Sequence, residues 1–340
     1  MTDIEIIVDE NAPMVGLIDE ASPTKLRVRK RGRITKWLAI AWLAFIVVSA
    51  IGANSLPYIN HSCDQFASKK DCSTATIANI RKSELPPAWA FFTDPPRQPP
   101  AGTPSHVGLM GTDRNGYDIF ARAMLGARPS LTIAGLAITF GLAISTILGM
   151  IAGYFRGWVD VLIENVTNVL LAFPALLLVI FCVTFFNDNT QTEATSKPLW
   201  PIIVALVIVS IPPLTRLVRA NTIAYAQRDF VVAARSLGAK GRRIMFKEIL
   251  PNIVPALVSF ALTGLALLIV AEGALAFLGL SVEAPTPTWG KMIAAGSERL
   301  RNHVWWISLM PALVMFLTVL SINLLGDVLA QRFNSREAIS

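Results

Sequence analysis

The chain has 340 residues, of which 53% are hydrophobic and only 16% are charged. This composition excludes an ordinary soluble domain and is typical of a protein with several membrane spans. The net charge of +7 does not indicate a nucleic-acid partner, because the basic residues cluster at the ends of apolar runs, as membrane orientation requires.

Six apolar runs are each long enough to cross the hydrocarbon core, which takes about 20 residues in a helix. In lipid each backbone N–H must be satisfied within its own segment, so we predict an all-α polytopic membrane protein with six transmembrane helices. The predicted spans are residues 37–56, 130–154, 159–186, 201–218, 251–280 and 305–329.

The basic stretch before the first span resembles the start of a signal peptide. The apolar run is longer than the usual signal core of about 7–15 residues, so we expect an uncleaved first helix. Residues 1–36 are then an N-terminal tail.

Residues 57–128 form the largest predicted connecting segment, and Cys63 and Cys72 lie within it. If this segment is extracytoplasmic, the two cysteines could form a disulfide, with free thiols as the alternative. Cys182 is expected to serve packing inside the third span. Asp113 is a candidate cap for a helix that begins near the end of the segment.

Two glycines in the second span, Gly149 and Gly153, are four residues apart. Such spacing lets helices approach closely in lipid, where no hydrophobic effect drives their association. It predicts a helix interface, either within the chain or between two subunits.

Residues 219–250 separate the fourth and fifth spans and form the most informative part of the chain. We predict two short helical halves, 230–237 and 242–250, joined by a sharp glycine turn at 238–241. Ala233 and Ala234 stand beside Arg235, so a partner surface could approach the backbone closely next to a positive charge. A solvated basic loop is the alternative.

Glu272 is the outstanding ionisable residue inside a predicted span. A carboxylate there should face a wet cavity or a partner, so a role in a transport pathway and a buried structural hydrogen bond are equally open. Trp289, Trp305 and Trp306 are expected to lie in the interfacial belt near the same membrane surface.

The distribution of basic residues predicts the orientation. Residues 219–250 carry seven lysines and arginines, whereas residues 187–200 carry only Lys197. By the positive-inside rule the former segment is cytoplasmic, and six spans then place both termini, including residues 330–340, in the cytoplasm.

Motifs for catalysis and cofactor binding are absent from the sequence. It contains no GxxxxGK[ST] phosphate loop, no HExxH, no GxSxG and no His/Cys spacing typical of a metal site. We therefore expect no enzyme activity, cofactor or metal in this chain itself.

The segment DFVVAARSLGA (229–239), followed by RIMFKEILPN (243–252), resembles the EAA loop of permeases from ATP-binding-cassette (ABC) importers. Further segments resemble the oligopeptide/dipeptide permease C subunit, in order and at family spacing. They are LMGTDRNGYD (109–118), GARPSL (126–131), GYFRGWVD (153–160), LAFP (171–174), FLGLS (277–281), PTWG (287–290) and NLLGD (323–327).

This resemblance implies a type I importer permease in a bacterial inner membrane, with its permease core at residues 129–329. The loop would form a coupling helix that docks into an ATP-binding subunit. Its docking positions would be Ala233, Ala234, Arg235, Gly238, Ala239 and Arg243. The implied partners are a homologous second permease, two ATP-binding subunits or one fused ATPase, and an extracytoplasmic solute-binding protein, with ATP and Mg²⁺ held by the ATPase subunits.

The sequence departs from the family pattern at three positions. Val232 stands where the loop usually has Glu, Glu248 where His is frequent, and Tyr117 where Arg is common. The cargo also stays open, because close relatives carry peptides, nickel or other small solutes. A carrier or channel that needs no ATPase is a further alternative.

Overall fold

A computed structural model describes residues 33–52, 83–90, 108–188, 199–282 and 286–337 of the protein. Over these ranges it is almost entirely helical, and its β-structure is one isolated bridge between Thr112 and Asp118. The helices are α1 (Arg33–Ile51), α2 (Ile119–Phe155), α3 (Gly157–Ala172), α4 (Ala175–Asp188), α5 (Trp200–Tyr225), α6 (Asp229–Ser236), α7 (Gly241–Phe277), α8 (Trp289–Ser297) and α9 (Trp306–Glu337). Helix α7 contains a π-helical turn at Ile244–Ile249.

Five described helices are long and apolar enough to cross a membrane, namely α1, α2, α5, α7 and α9. The sixth predicted span, residues 159–186, is not one continuous helix. It is divided into α3 and α4, which meet at an angle of 91°. Phe173 has extended backbone angles, as expected for a residue before proline, and Pro174 follows it.

The start of α2 corrects the predicted cap. The helix begins at Ile119, well before residue 130, and Asp118 caps it by accepting hydrogen bonds from the backbone N–H groups of Phe120 (2.8 Å) and Ala121 (3.2 Å). Asp113 instead accepts from Asn115 and Tyr117, both at 2.9 Å, and so closes the preceding turn. Burial raises the pKa of the Asp113 carboxyl, against the opposing effect of these N–H groups.

Helices α2 and α5 pack through glycines, as the spacing of Gly149 and Gly153 predicted. A Cβ at Gly149 would lie 2.6 Å from Val218 Cβ, and one at Gly153 would lie 2.8 Å from the Arg219 carbonyl oxygen. The interface is therefore within the chain, and it needs glycine because the two backbones are in contact.

Alanine at Gly153 is expected to lower stability by about 1–3 kcal/mol, because its methyl group would collide with the α5 backbone. Gly135 in the same helix is the matched control, since a Cβ there has open space. Gly135→Ala should be neutral or slightly stabilising. Thermal unfolding of the detergent-purified variants measures the difference, and equal midpoints for the two would contradict this packing.

Two tryptophans correct the expectation of an interfacial belt. Trp289 and Trp306 have no exposed surface and belong to the main apolar core. The Trp289 indole N–H donates to the Ala123 carbonyl at 2.8 Å, and that of Trp306 donates to the Thr112 carbonyl at 3.3 Å. They thus fix α8 to the start of α2, and α9 to the segment just before α2.

Candidate functional site

Helix α6 and the turn after it form a corner between α5 and α7, which we call the α6 corner (residues 229–243). Four of the six predicted docking residues are exposed on it, namely Ala233, Arg235, Gly238 and Arg243. Ala234 and Ala239 are half-buried and pack against a cluster of buried apolar side chains that includes Val231 and Ile244. The paired alanines therefore point in different directions, and only Ala233 belongs to the outer surface.

The corner is closed by a Schellman motif at Gly238. Its N–H donates to the Arg235 carbonyl and the Ala239 N–H donates to the Ala234 carbonyl, both at 3.0 Å. Gly238 has φ +78°, the left-handed conformation that glycine adopts without strain. The sharp turn predicted between the two helical halves is therefore present.

An inner apolar cluster joins the α6 corner to three membrane helices. Val231 and Ile244 are almost fully buried and pack in one cluster with Met150 of α2 and Val218 of α5. The cluster continues along α7 through Ile249, Ile253 and Leu257. Because packed interiors transmit displacement, a push on α6 will reach α2, α5 and α7.

Tyr154, near the end of α2, packs against the α6 corner. A Cβ at Gly241 would lie 3.0 Å from the Tyr154 ring, so the chain passes directly over it. The Arg235 guanidinium carbon lies 5.7 Å from the centroid of the same ring, within the range of a cation–π interaction. Arg235 thus has a contact inside the chain as well as an exposed position.

The outer surface of the corner combines apolar and basic side chains. Leu237 is 88% exposed, and Val232 is 53% exposed. Residues 228–248 contain six lysines and arginines against two carboxylates. The α6 corner therefore presents exposed apolar side chains on a predominantly basic surface. Leu237 was not among the docking positions predicted from the sequence, although it stands directly before the turn glycine.

Glu272 lies at the other end of α7 and is 1% exposed. Its carboxylate accepts hydrogen bonds from the hydroxyls of Ser130 (3.0 Å) and Ser281 (2.9 Å), and Thr288 lies beside it. These residues belong to α2, to the segment after α7 and to the start of α8. The geometry fits the structural alternative, in which Glu272 holds three segments together.

The predicted disulfide has no structural test, and the search for metal-binding groups covers only the described residues. Cys63 and Cys72 lie outside the described residues, so their pairing stays a prediction. Over the described ranges, no group of three or more His, Cys, Asp and Glu residues could hold a metal ion.

Residues 145–336 match the family described as binding-protein-dependent transport system inner membrane component. The chain is 38% identical over 224 residues to the dipeptide transport system permease protein DppC of Alkalihalophilus pseudofirmus, covering 66% of this chain and 70% of the relative. It is 38% identical over 226 residues to the glutathione transport system permease protein GsiD of Pectobacterium atrosepticum, covering 66% and 71%.

The fold has a counterpart among solved structures. The chain resembles inward-facing conformations of the MetNI methionine ABC transporter with a TM-score of 0.52 at 18% sequence identity. The match covers 63% of this chain and 97% of the other. At this identity the likeness concerns the fold alone, which is that of a type I importer permease.

Proposed function

The chain belongs to the family of inner membrane components of binding-protein-dependent transport systems, with a DppC-like permease sequence, and we propose that it is the pore subunit of an ATP-driven importer of short peptides. The observation that carries the coupling part of this proposal is the α6 corner. It is exposed, apolar at its tip, and packed onto three membrane helices.

The cargo follows from the relatives. One is a dipeptide permease and another a glutathione permease, and glutathione is itself a short peptide. We therefore assign di- or oligopeptides to this chain.

In this proposal the α6 corner lies in the cytoplasm, with both termini, and docks into an ATP-binding subunit. ATP binding and release there bias the pore between outward-open and inward-open states. Val231 and Ile244 transmit the movement, because they connect α6 to the buried side chains of α2 and α5. ATP and Mg²⁺ belong to the partner subunits, so this chain performs no hydrolysis.

The second permease and the solute-binding protein bind other surfaces of the chain. A homologous second permease completes the pore against the exposed apolar faces of the membrane helices, and lipid covers the rest. A solute-binding protein delivers the peptide at the opposite membrane surface, where α8 and the segment before α2 lie.

Leu237→Ala tests the docking. If Leu237 is buried in the ATP-binding subunit, its truncation should weaken that subunit's affinity by about 1.5–3 kcal/mol, or about 10- to 150-fold. The measurement is co-purification of the ATP-binding subunit with the tagged permease across a dilution series.

Leu109→Ala is the matched control. Leu109 is 63% exposed but lies before α2, at the opposite end of the molecule. Its truncation should leave association unchanged. Equal retention of the ATP-binding subunit by both variants would remove Leu237 from the docking surface.

A further inference from the structure

A polar cavity of about 420 Å³ lies between α3 and α5, apart from the α6 corner. Ile163, Glu164 and Thr167 line it from α3, and Thr215, Arg216 and Arg219 line it from α5. Residues three and four apart share one face of a helix, so the α5 wall is a single polar face, and the α3 wall is polar apart from Ile163. Its volume is within the range of small-molecule sites.

One arginine of the cavity is already neutralised. Arg219 makes a two-pronged ion pair with Asp160, with Nη2 at 2.7 Å from Oδ2, and lies 3.5 Å from the Glu164 carboxylate. This pair holds α3 against α5.

Arg216 and Thr215, by contrast, lack such a charged partner over the described ranges. Arg216 donates to the neutral Asn168 side-chain oxygen at 2.5 Å, and no carboxylate of the described residues pairs with it. Thr215 is 2% exposed, and its hydroxyl oxygen has no hydrogen-bond partner among those residues. A cation without a counter-ion beside a buried free hydroxyl is complementary to an oxyanion.

The depth of Arg216 in the membrane indicates which oxyanion could reach the cavity. Arg216 lies sixteen residues after Trp200, which is roughly 24 Å along the helix axis. The hydrocarbon core is about 30 Å thick, so if Trp200 marks one boundary, the Arg216 backbone lies about 6 Å inside the other. A long arginine side chain can extend over that distance to the phospholipid phosphates. Basic pockets between membrane helices on the cytoplasmic side suit anionic lipid headgroups.

An apolar surface for the acyl chains lies next to the cavity. Helix α3 carries a set of apolar side chains that are each more than half exposed, namely Trp158, Val161, Leu162, Val166 and Val169. Tryptophan at the helix start suits the membrane interface.

We propose that the cavity between α3 and α5 binds the phosphate of an anionic phospholipid in the cytoplasmic leaflet, with Arg216 and Thr215 as its ligands. Glu164 is the unfavourable neighbour, since its carboxylate repels the phosphate. The bound lipid stabilises the bent arrangement of α3 against α5.

Native mass spectrometry of the detergent-purified full chain tests this assignment, with phosphatidylglycerol and phosphatidylcholine of identical acyl chains as probes. Phosphatidylglycerol should bind more tightly. Arg216→Gln should weaken its binding about fivefold, the usual effect of one basic residue at a lipid surface. Thr215→Val, which keeps the side-chain shape, should also weaken it.

Two further variants, Glu164→Gln and Arg228→Gln, separate an effect inside the cavity from a general effect of net charge. Glu164→Gln should strengthen phosphatidylglycerol binding, because it removes the repelling charge. Arg228→Gln should change nothing, because Arg228 is exposed near the α6 corner and lies outside the cavity.

Four results would overturn the proposal, three of which concern the lipids and the variants. They are equal binding of the two lipids, phosphatidylglycerol binding that Arg216→Gln leaves unchanged, and weaker binding in Glu164→Gln. Displacement of the lipid by inorganic phosphate at equal concentration would assign the cavity to a free anion and overturn the lipid assignment.

Discussion

Replacing Gly238 with aspartate is expected to leave the protein in the membrane and to abolish ATP-coupled uptake. The left-handed conformation at φ +78° costs a residue with a Cβ roughly 1–2 kcal/mol. Within the chain a Cβ at Gly238 meets nothing, so the fold should tolerate the change apart from this strain. The new carboxylate would stand at the exposed tip of the corner, where a partner must approach closely.

Gly279→Asp is the matched control for backbone strain. Gly279 also has φ +78°, with open space around its Cβ position, and it closes α7 with the same Schellman hydrogen bonds. It lies at the end of α7 opposite to the α6 corner. The Gly279 variant should retain most uptake, measured with labelled dipeptide in cells, while membrane levels of both variants are compared by immunoblot.

Two outcomes would contradict this interpretation. Normal uptake by the Gly238 variant would mean that the α6 corner is not a close-packed docking site. An equal loss in both variants, with equal membrane levels, would trace the defect to strain in the turn.

Glu272→Ala is expected to have the largest effect on stability. It leaves the buried hydroxyl of Ser130 and the half-buried hydroxyl of Ser281 without their shared acceptor, next to the buried Thr288. Leaving a buried polar group unsatisfied costs about 1–3 kcal/mol, so we expect a loss of about 3 kcal/mol or more. Thermal unfolding of the purified chain measures it, and the ends of α2, α7 and α8 next to Glu272 should lose protection from hydrogen exchange first.

Glu272→Gln separates the two roles that the sequence left open for this residue. Glutamine keeps an acceptor oxygen and almost the same shape, and the hydroxyls can reorient toward its amide. A structural role predicts near-normal stability and uptake for this variant. Normal stability with lost uptake would contradict it and assign the carboxylate to the transport pathway.

The membrane helices and the turn at Gly238 were predictable because they depend on local chemistry. Long apolar runs must be helical in lipid, and a glycine pair after a short helix specifies a left-handed cap. The close contact at Gly149 and Gly153 was predictable for the same reason, although its partner α5 was not.

The break at Pro174 was not predictable from proline alone. Pro129, Pro255 and Pro311 lie inside helices that continue past them, whereas the chain turns by 91° at Pro174. The difference lies in tertiary contacts. Asp160 and Asn168 of α3 are bound to arginines of α5, which holds α3 away from the axis of α4.

The site was predicted in part. The sequence predicted the glycine turn of the α6 corner, but not which alanine faces outward, because that depends on the rotation of α6 about its axis. That the corner binds a partner stays a prediction. The contact between Gly241 and Tyr154 and the three hydroxyls around Glu272 join residues far apart in the sequence, so no local pattern reports them.

A pore subunit of an ATP-driven peptide importer should be indispensable for peptide uptake by the cell. Uptake of labelled dipeptide, with labelled nickel alongside, in cells with and without the gene tests this proposal. We expect that deletion abolishes dipeptide uptake, that the wild-type gene restores it, and that nickel uptake is unaffected. Intact dipeptide uptake in the deletion strain would overturn the proposed function, and a selective loss of nickel uptake would assign the same machine to a different cargo.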